Sequence, residues 1–248
     1  MKKKISIIQM NVLLGEPDAN FKHCLSLMEK SLADKPDILV LPETLNVGFF
    51  PKENLKELAD DNGTRTKAMF GNFAAQHQIN IVAGSVANKK HDAVYNTTYV
   101  FNRLGLIVSE YDKIHGFSPA GEHLYFQSGH EVNNFMLDEI KCSSIICYDM
   151  RFPELIRTAT LKDVDLMFIP AQWPLVRKHH WLTLATARAI ENQMFVCAVN
   201  GCGMADTTKY GGNSVLLNPW GEELCHLGTE EDIQAAEIDM DIIQNIRA

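Results

Sequence analysis

Two short stretches restrict the fold of this chain more than anything else in it: Asp37-Ile-Leu-Val-Leu-Pro42 and Asp165-Leu-Met-Phe-Ile-Pro170. In each, four consecutive apolar residues run up to a proline. A run this short, with no polar alternation, has no face to offer water, so it reads as a strand buried on both sides in a helix-covered sheet. Each is preceded by a helical pattern, and the echo points to two similar halves. Sheets from two such halves would pack together, giving a four-layer sandwich with helices outside.

The remaining periodicity agrees with an α/β class. Strands are expected at Ile5 to Met10, 79–86, 95–102, 106–112, 131–137, 141–147, 194–200, 213–217 and 233–239. Helical spacing covers Asn20 to Leu32 (Phe21, Cys24, Leu25 and Met28 on one face), Thr66 to Gln78, 153–162 and 180–191. No low-complexity or linker-like stretch interrupts the 248 residues, so residues 1–248 are expected to form one domain.

Charge and composition exclude several function classes. A net charge of -8, with no basic block beyond Lys2-Lys3-Lys4, argues against nucleic acid or an anionic membrane as partner. No apolar stretch approaches the roughly 20 residues of a spanning helix. Polar Asn11 arrives before a secretory apolar region can form, so a soluble cytoplasmic protein is expected. The six cysteines form no C-x-x-C pair and no Cys/His cluster at zinc spacing, so they are expected to be free thiols with no metal site.

Three side chains at strand ends then stand out. Cys147 closes an apolar run and faces the start of a helical pattern, where the positive end of the helix favours a thiolate. Glu43 follows Pro42 at the carboxyl end of a buried strand, where open α/β sheets place their sites. Lys113 ends a third strand and opens a glycine-containing loop. Each alone has a bland explanation: a buried structural thiol, a solvated carboxylate, a surface lysine loosely paired with Asp112. Together they supply a nucleophile, a proton carrier and an oxyanion stabiliser.

The segments that carry these residues are "LPETLNVGF", "YDKIHGF" and "CYDMRFPEL". In order and spacing they resemble the three signature blocks of the nitrilase, or carbon–nitrogen hydrolase, superfamily. The resemblance extends through "PAQWP", "ARAIENQMFVCAVN" and "LLNPWGEEL". It implies an α-β-β-α sandwich, a Glu43–Lys113–Cys147 catalytic set and a second glutamate, matched by Glu122 in "PAGEHLYF". It also implies amide hydrolysis through a thioester on Cys147, with Glu43 moving the proton and Lys113 and the Tyr148 backbone N–H holding the oxyanion. No metal or organic cofactor is expected.

The closest resemblance is to the ω-amidase branch, which hydrolyses the terminal amide of 2-oxoglutaramate or 2-oxosuccinamate. Such a substrate carries a carboxylate, for which Arg151 is the candidate clamp, unless it serves the scaffold by pairing with Asp149 or Glu154. Trp173 and Trp181 are candidate wall residues or core, Trp173 being the candidate for substrate contact, and Arg188 with Glu191 reads as a structural ion pair. The alternatives are an N-carbamoyl amine or amino acid amidohydrolase, a true nitrilase, a Cys–His hydrolase using His115 or His123, and a catalytically silent binding or scaffold protein. Family members often end in a tail that packs across a partner subunit. Here the chain stops at "IIQNIRA", so the tail is short, though a homodimer or higher homo-oligomer remains the expectation.

Overall fold

The computed structural model describes residues 1–247. Its strands are β1 (Lys2–Gln9), β2 (Ile38–Val40), β3 (Asp60–Asp61), β4 (Asn80–Val82), β5 (Val86–Lys90), β6 (Ala93–Phe101), β7 (Ile107–Asp112), β8 (Asn134–Leu137), β9 (Ile140–Ser144), β10 (Leu166–Ala171), β11 (Phe195–Asn200), β12 (Met204–Ala205), β13 (Thr208–Lys209), β14 (Val215–Leu217), β15 (Glu223–His226) and β16 (Asp232–Asp239). The helices are α1 (Pro17–Ser31), α2 (Leu55–Leu58), α3 (Thr64–His77), α4 (Pro153–Thr160), α5 (Lys178–Asn192) and α6 (Asp241–Arg247).

One sheet has the order β16-β1-β2-β4-β6-β5-β3, with β7 also on β6; the other is β15-β14-β11-β10-β9-β8. Each is built on a parallel core, β1-β2-β4 and β9-β10-β11. The two-residue period of a strand then sorts side chains into layers. Ile5 and Ile7 point inward with Val40, Val82 and Val100, and meet Phe168, Phe195, Cys197 and Leu216 from the opposite sheet. Ile8 and Met10 point outward and pack with Phe21, Cys24, Met28, Phe70 and Phe73 of α1 and α3. Met167 and Ile169 do the same with Ile156, Trp181 and Ala185 of α4 and α5. The result is the four-layer α-β-β-α sandwich. No helix among the described residues is long and apolar enough to cross a membrane.

Among the boundaries that differ from the sequence expectation, two have a clear local reason. The strand expected over 79–86 is split between β4 and β5 by Gly84, with φ +56°, where an added Cβ would lie 1.9 Å from the Pro42 carbonyl oxygen. Only glycine tolerates both that conformation and that approach. Conversely, β10 does not stop at Pro170 but runs to Ala171. The missing proline N–H costs nothing there, because pairing with β9 ends at Phe168 opposite Ser144. Both proline-bearing strands deliver their ends to one place, where the Glu43 N–H donates to the Ala171 carbonyl at 3.4 Å.

Candidate active site

Glu43, Lys113 and Glu122 form a buried charged cluster. Lys113, immediately after β7, is 3% exposed, and both glutamates are fully buried. The Lys113 ammonium donates to Glu43 Oε1 at 2.8 Å and to Glu122 Oε1 and Oε2 at 2.8 and 2.9 Å. Asn96 Nδ2 donates to the same Glu43 oxygen at 2.8 Å, and the Gln172 backbone N–H donates to Glu43 Oε2 at 2.7 Å. The Phe117 N–H donates to Glu122 Oε2 at 2.6 Å, pinning the loop after Lys113. Lys113 makes no pair with Asp112, whose carboxylate is taken by Lys90 at 2.8 Å.

Cys147 is not the last residue of a strand. β9 ends at Ser144, and Cys147 opens a 3-10 turn, Cys147–Arg151, with φ +49°. A side chain there costs roughly 1–3 kcal/mol of backbone strain, so the surroundings must hold it. Asp149, fully buried, does so. Its Oδ2 accepts from the Ile146 N–H at 3.0 Å and the Tyr111 hydroxyl at 2.7 Å. Its Oδ1 accepts from the His115 N–H at 2.8 Å and lies 2.9 Å from His115 Nδ1. Beyond the turn, Arg188 grips the Met150 carbonyl at 2.8 and 3.0 Å while pairing with Glu191 at 2.7 Å, as the i, i+3 spacing anticipates. Among the described residues no backbone acceptor takes the Tyr148 N–H, an orphan donor of the first turn.

Electrostatics follow from burial. Desolvation, reinforced by the Glu43 charge and opposed by Lys113, pushes the Cys147 thiol well above its ordinary range. Burial likewise raises Glu43, with Lys113 opposing. Burial pulls the Lys113 ammonium down, but Glu122 and Glu43 outweigh it and hold the group well above its usual value. The thiol is thus held toward its protonated form, and the lysine toward its charged form.

Cys147 opens into a cavity of about 260 Å³ walled by Phe49, Phe117, Trp173 and Tyr210, with Tyr148, Arg151, Arg177 and Thr208 toward the outside. Arg151 pairs with neither Asp149 nor Glu154. Its Nη2 lies 2.9 Å from His180 Nδ1, and its guanidinium sits over the rings of Trp173 and Tyr148 at 5.1 and 5.7 Å. Arg177 lies over Phe117 at 5.0 Å. Among the described residues neither arginine has a carboxylate partner. Trp181 is core, 1% exposed, its indole N–H given to the Asn213 carbonyl. His115 stacks on Phe152 and is occupied by Asp149, while His123 lines a different cavity. Nothing in this geometry supports a Cys–His pair.

The model of the carbon-nitrogen hydrolase family matches residues 4–248. The chain belongs to that family. The 2-oxoglutaramate amidase of Bacillus subtilis (strain 168) is 43% identical over 247 residues, covering 100% of this chain and 95% of that one. The omega-amidase YafV of Escherichia coli (strain K12) is 32% identical over 241 residues, covering 96% and 89%. A CN-hydrolase superfamily protein of Xanthomonas campestris, solved with an arsenic adduct in its active site, superposes with a TM-score of 0.93 at 30% identity, covering 100% and 94%.

Around the sequence-expected residues this carbon–nitrogen hydrolase has a supporting set that sequence reading missed. Asn96 is a polar residue inside the otherwise apolar-rich "VYNTTYV" of β6, which was a usable signal. Asp149 and Gln172 lie within quoted blocks but read as ordinary polar residues until their burial is seen. Tyr210 carried no signal at all.

Proposed function

We propose that this carbon–nitrogen hydrolase is an ω-amidase, releasing ammonia from a small 2-oxo dicarboxylate monoamide in the cytoplasm, where its six unpaired thiols stay reduced. The observation that carries the reading is the pairing, in one small cavity, of the Cys147–Glu43–Lys113–Glu122 cluster with two outer guanidiniums lacking carboxylate partners. At about 260 Å³ the cavity falls below the usual ~300–1,000 Å³ of sites for drug-sized ligands, which suits a short acyl chain. The Bacillus subtilis and Escherichia coli relatives, named for 2-oxoglutaramate and ω-amides, support the same choice.

In this mechanism Glu43 takes the thiol proton as Cys147 attacks the amide carbon. Lys113 and the Tyr148 N–H stabilise the oxyanion, a contribution typically of several kcal/mol. Glu43 then delivers the proton to departing ammonia and activates the water that releases the acid. Glu122 fixes Lys113. Arg151 clamps the substrate carboxylate, held flat by Trp173 and Tyr148 beneath it.

The test is ammonia release from 2-oxoglutaramate, succinamate, an N-carbamoyl amino acid and a simple nitrile. The monoamides should be fastest; a faster carbamoyl compound or nitrile overturns the substrate assignment. Arg151→Lys, which loses the two-pronged geometry, should raise KM for the anionic amides about 10–100-fold, as expected for a charged hydrogen bond. Equal effects on a neutral amide would refute the clamp.

The same proposal includes self-association. The outer helical layer exposes Leu161 (77%) and Ile190 (50%), with Trp220 (65%) next to the glycine that abuts Ile190. Light scattering should give at least twice the 27.9 kDa chain mass. A monomer at micromolar concentration would contradict it.

A further inference from the structure

The cavity has one buried hydroxyl that the mechanism above leaves unused. Of the lining residues with hydroxyls, Thr208 is exposed and Tyr148 is half-buried under Arg151, whereas Tyr210 is 3% exposed. Among the described residues the Tyr210 hydroxyl has no hydrogen-bond partner, although a buried phenol ordinarily finds one. It is not sealed in protein either, since it borders the cavity with Cys147.

Its position is fixed by the backbone. The Gly211 N–H donates to the Trp173 carbonyl at 2.8 Å and the Tyr210 N–H to the Gly203 carbonyl at 3.0 Å. Asn200 ties both sides together, donating to the carbonyls of Trp173 and Gly212 and accepting from the Trp173 N–H. The Tyr210 ring packs edge-on against Phe49. Tyr210 lines the cavity together with Cys147, and burial, then the charges of Glu43, Cys147 and Glu122, push the phenol above its ordinary range, so it stays protonated.

An amide nitrogen beside Cys147 brings two hydrogens, and water brings two as well. Glu43 can receive one, but its oxygens already accept from Lys113, Asn96 and the Gln172 N–H. Lysine and arginine accept nothing. Gln172 Oε1, Asn96 Oδ1 and Thr44 Oγ1 are acceptors without partners among the described residues, but each is enclosed by protein and does not open to the cavity. The Tyr210 oxygen remains.

We propose that the Tyr210 hydroxyl accepts a hydrogen bond first from the scissile amide nitrogen and then from the water that replaces it, making Tyr210 a further catalytic residue. Resting on the assignment of Cys147 and Glu43 but not on the choice of acyl chain, the proposal balances as follows. The Cys147 S–C bond forms as the C–N bond breaks, and the thiol proton leaves through Glu43 as the third hydrogen of ammonia. Water then adds to the thioester carbon. One of its protons passes through Glu43 to the sulfur as the C–S bond breaks, and the free acid departs.

The test is Tyr210→Phe in the full chain, assayed on 2-oxoglutaramate and neutral butyramide, whichever of these the wild type hydrolyses, and with hydroxylamine competing against water for the thioester. The expected result is a kcat about tenfold lower on each accepted amide, with KM changed less, and a product ratio shifted several-fold from acid toward hydroxamate. The unfolding temperature should be unchanged, since the lost oxygen bonds to no residue. Unaltered kcat, a loss confined to 2-oxoglutaramate, an equal fall in both products, or a lowered unfolding temperature would each overturn it. Cys147→Ala as a parallel control separates the outcomes: ammonia release surviving there refutes the nucleophile itself, whereas a dead Cys147→Ala beside a Tyr210→Phe with wild-type kcat refutes only the role of Tyr210.

Discussion

Cys147→Ala should abolish ammonia release, with a fall on the order of 10⁵–10⁶-fold, the scale seen when a nucleophile is removed from a covalent mechanism. The substitution removes a single sulfur and leaves the turn in place, because the Asp149 bonds that hold it involve Ile146, Tyr111 and His115 rather than Cys147. Folding is therefore expected to survive, and circular dichroism would verify it. The pH behaviour is equally specific. A free thiol ionises near pH 8.5, so its alkylation rate climbs about tenfold per pH unit below that value. The Cys147 thiol is pushed well above that range by burial and by the Glu43 charge, so no thiolate accumulates between pH 7 and 9. Unaided, such a thiol would still alkylate about tenfold faster per pH unit across this interval; with Glu43 taking the proton during attack, inactivation by iodoacetamide should instead be nearly flat. A tenfold rise per unit would mean that the thiol reacts only through the small thiolate fraction set by solvent pH, and would remove Glu43 from the role of base.

The comparison between sequence and structure shows where one chain is readable. Continuous apolar runs such as 38–41 and 166–169 are legible because burial on both faces leaves no other pattern. Lys113 and Glu43 were recognisable as strand ends, yet their ordinary reading, solvated surface charges, was wrong in this fold: both are buried, each serving as the other's counterion. That pairing spans 70 residues of sequence, and no local pattern encodes it. Cys147 was legible as chemistry but not as geometry. Its positive φ depends on Asp149 accepting from Tyr111 and His115, residues from β7 and the loop after it. Arg151 was left open in the sequence between a carboxylate clamp and a local ion pair. Acidic neighbours two and three residues away suggested a local pair, but Asp149 is consumed by the turn, so the guanidinium is left for the cavity. Tyr210 was invisible because its meaning lies in a partner it lacks.

Lys113→Met should be the most damaging single change to stability as well as to activity. Methionine fills a similar volume but leaves Glu43 and Glu122, both fully buried, facing each other without a cation. Removing one partner of a buried ion pair costs about 3–5 kcal/mol, and here one lysine serves two carboxylates. The loss should depend on pH with a definite sign. Without Lys113, burial and the nearby Glu122 charge raise the folded-state Glu43 pKa above its unfolded value of about 4.3. The folded state then binds protons more tightly than the unfolded state, so the penalty is largest at high pH and shrinks as pH falls toward the unfolded value. Urea unfolding at pH 8 and pH 5.5 should show the gap between variant and wild type narrowing at the lower pH. A gap that is constant or widens on acidification would mean that the lysine contributes packing rather than charge. Activity should not return at pH 5.5 even as stability does, because a protonated Glu43 cannot accept the thiol proton and no ammonium remains to hold the oxyanion. In the proposed mechanism the same lysine is thus required twice, once so that two carboxylates can be buried together and once so that one of them can act as a base.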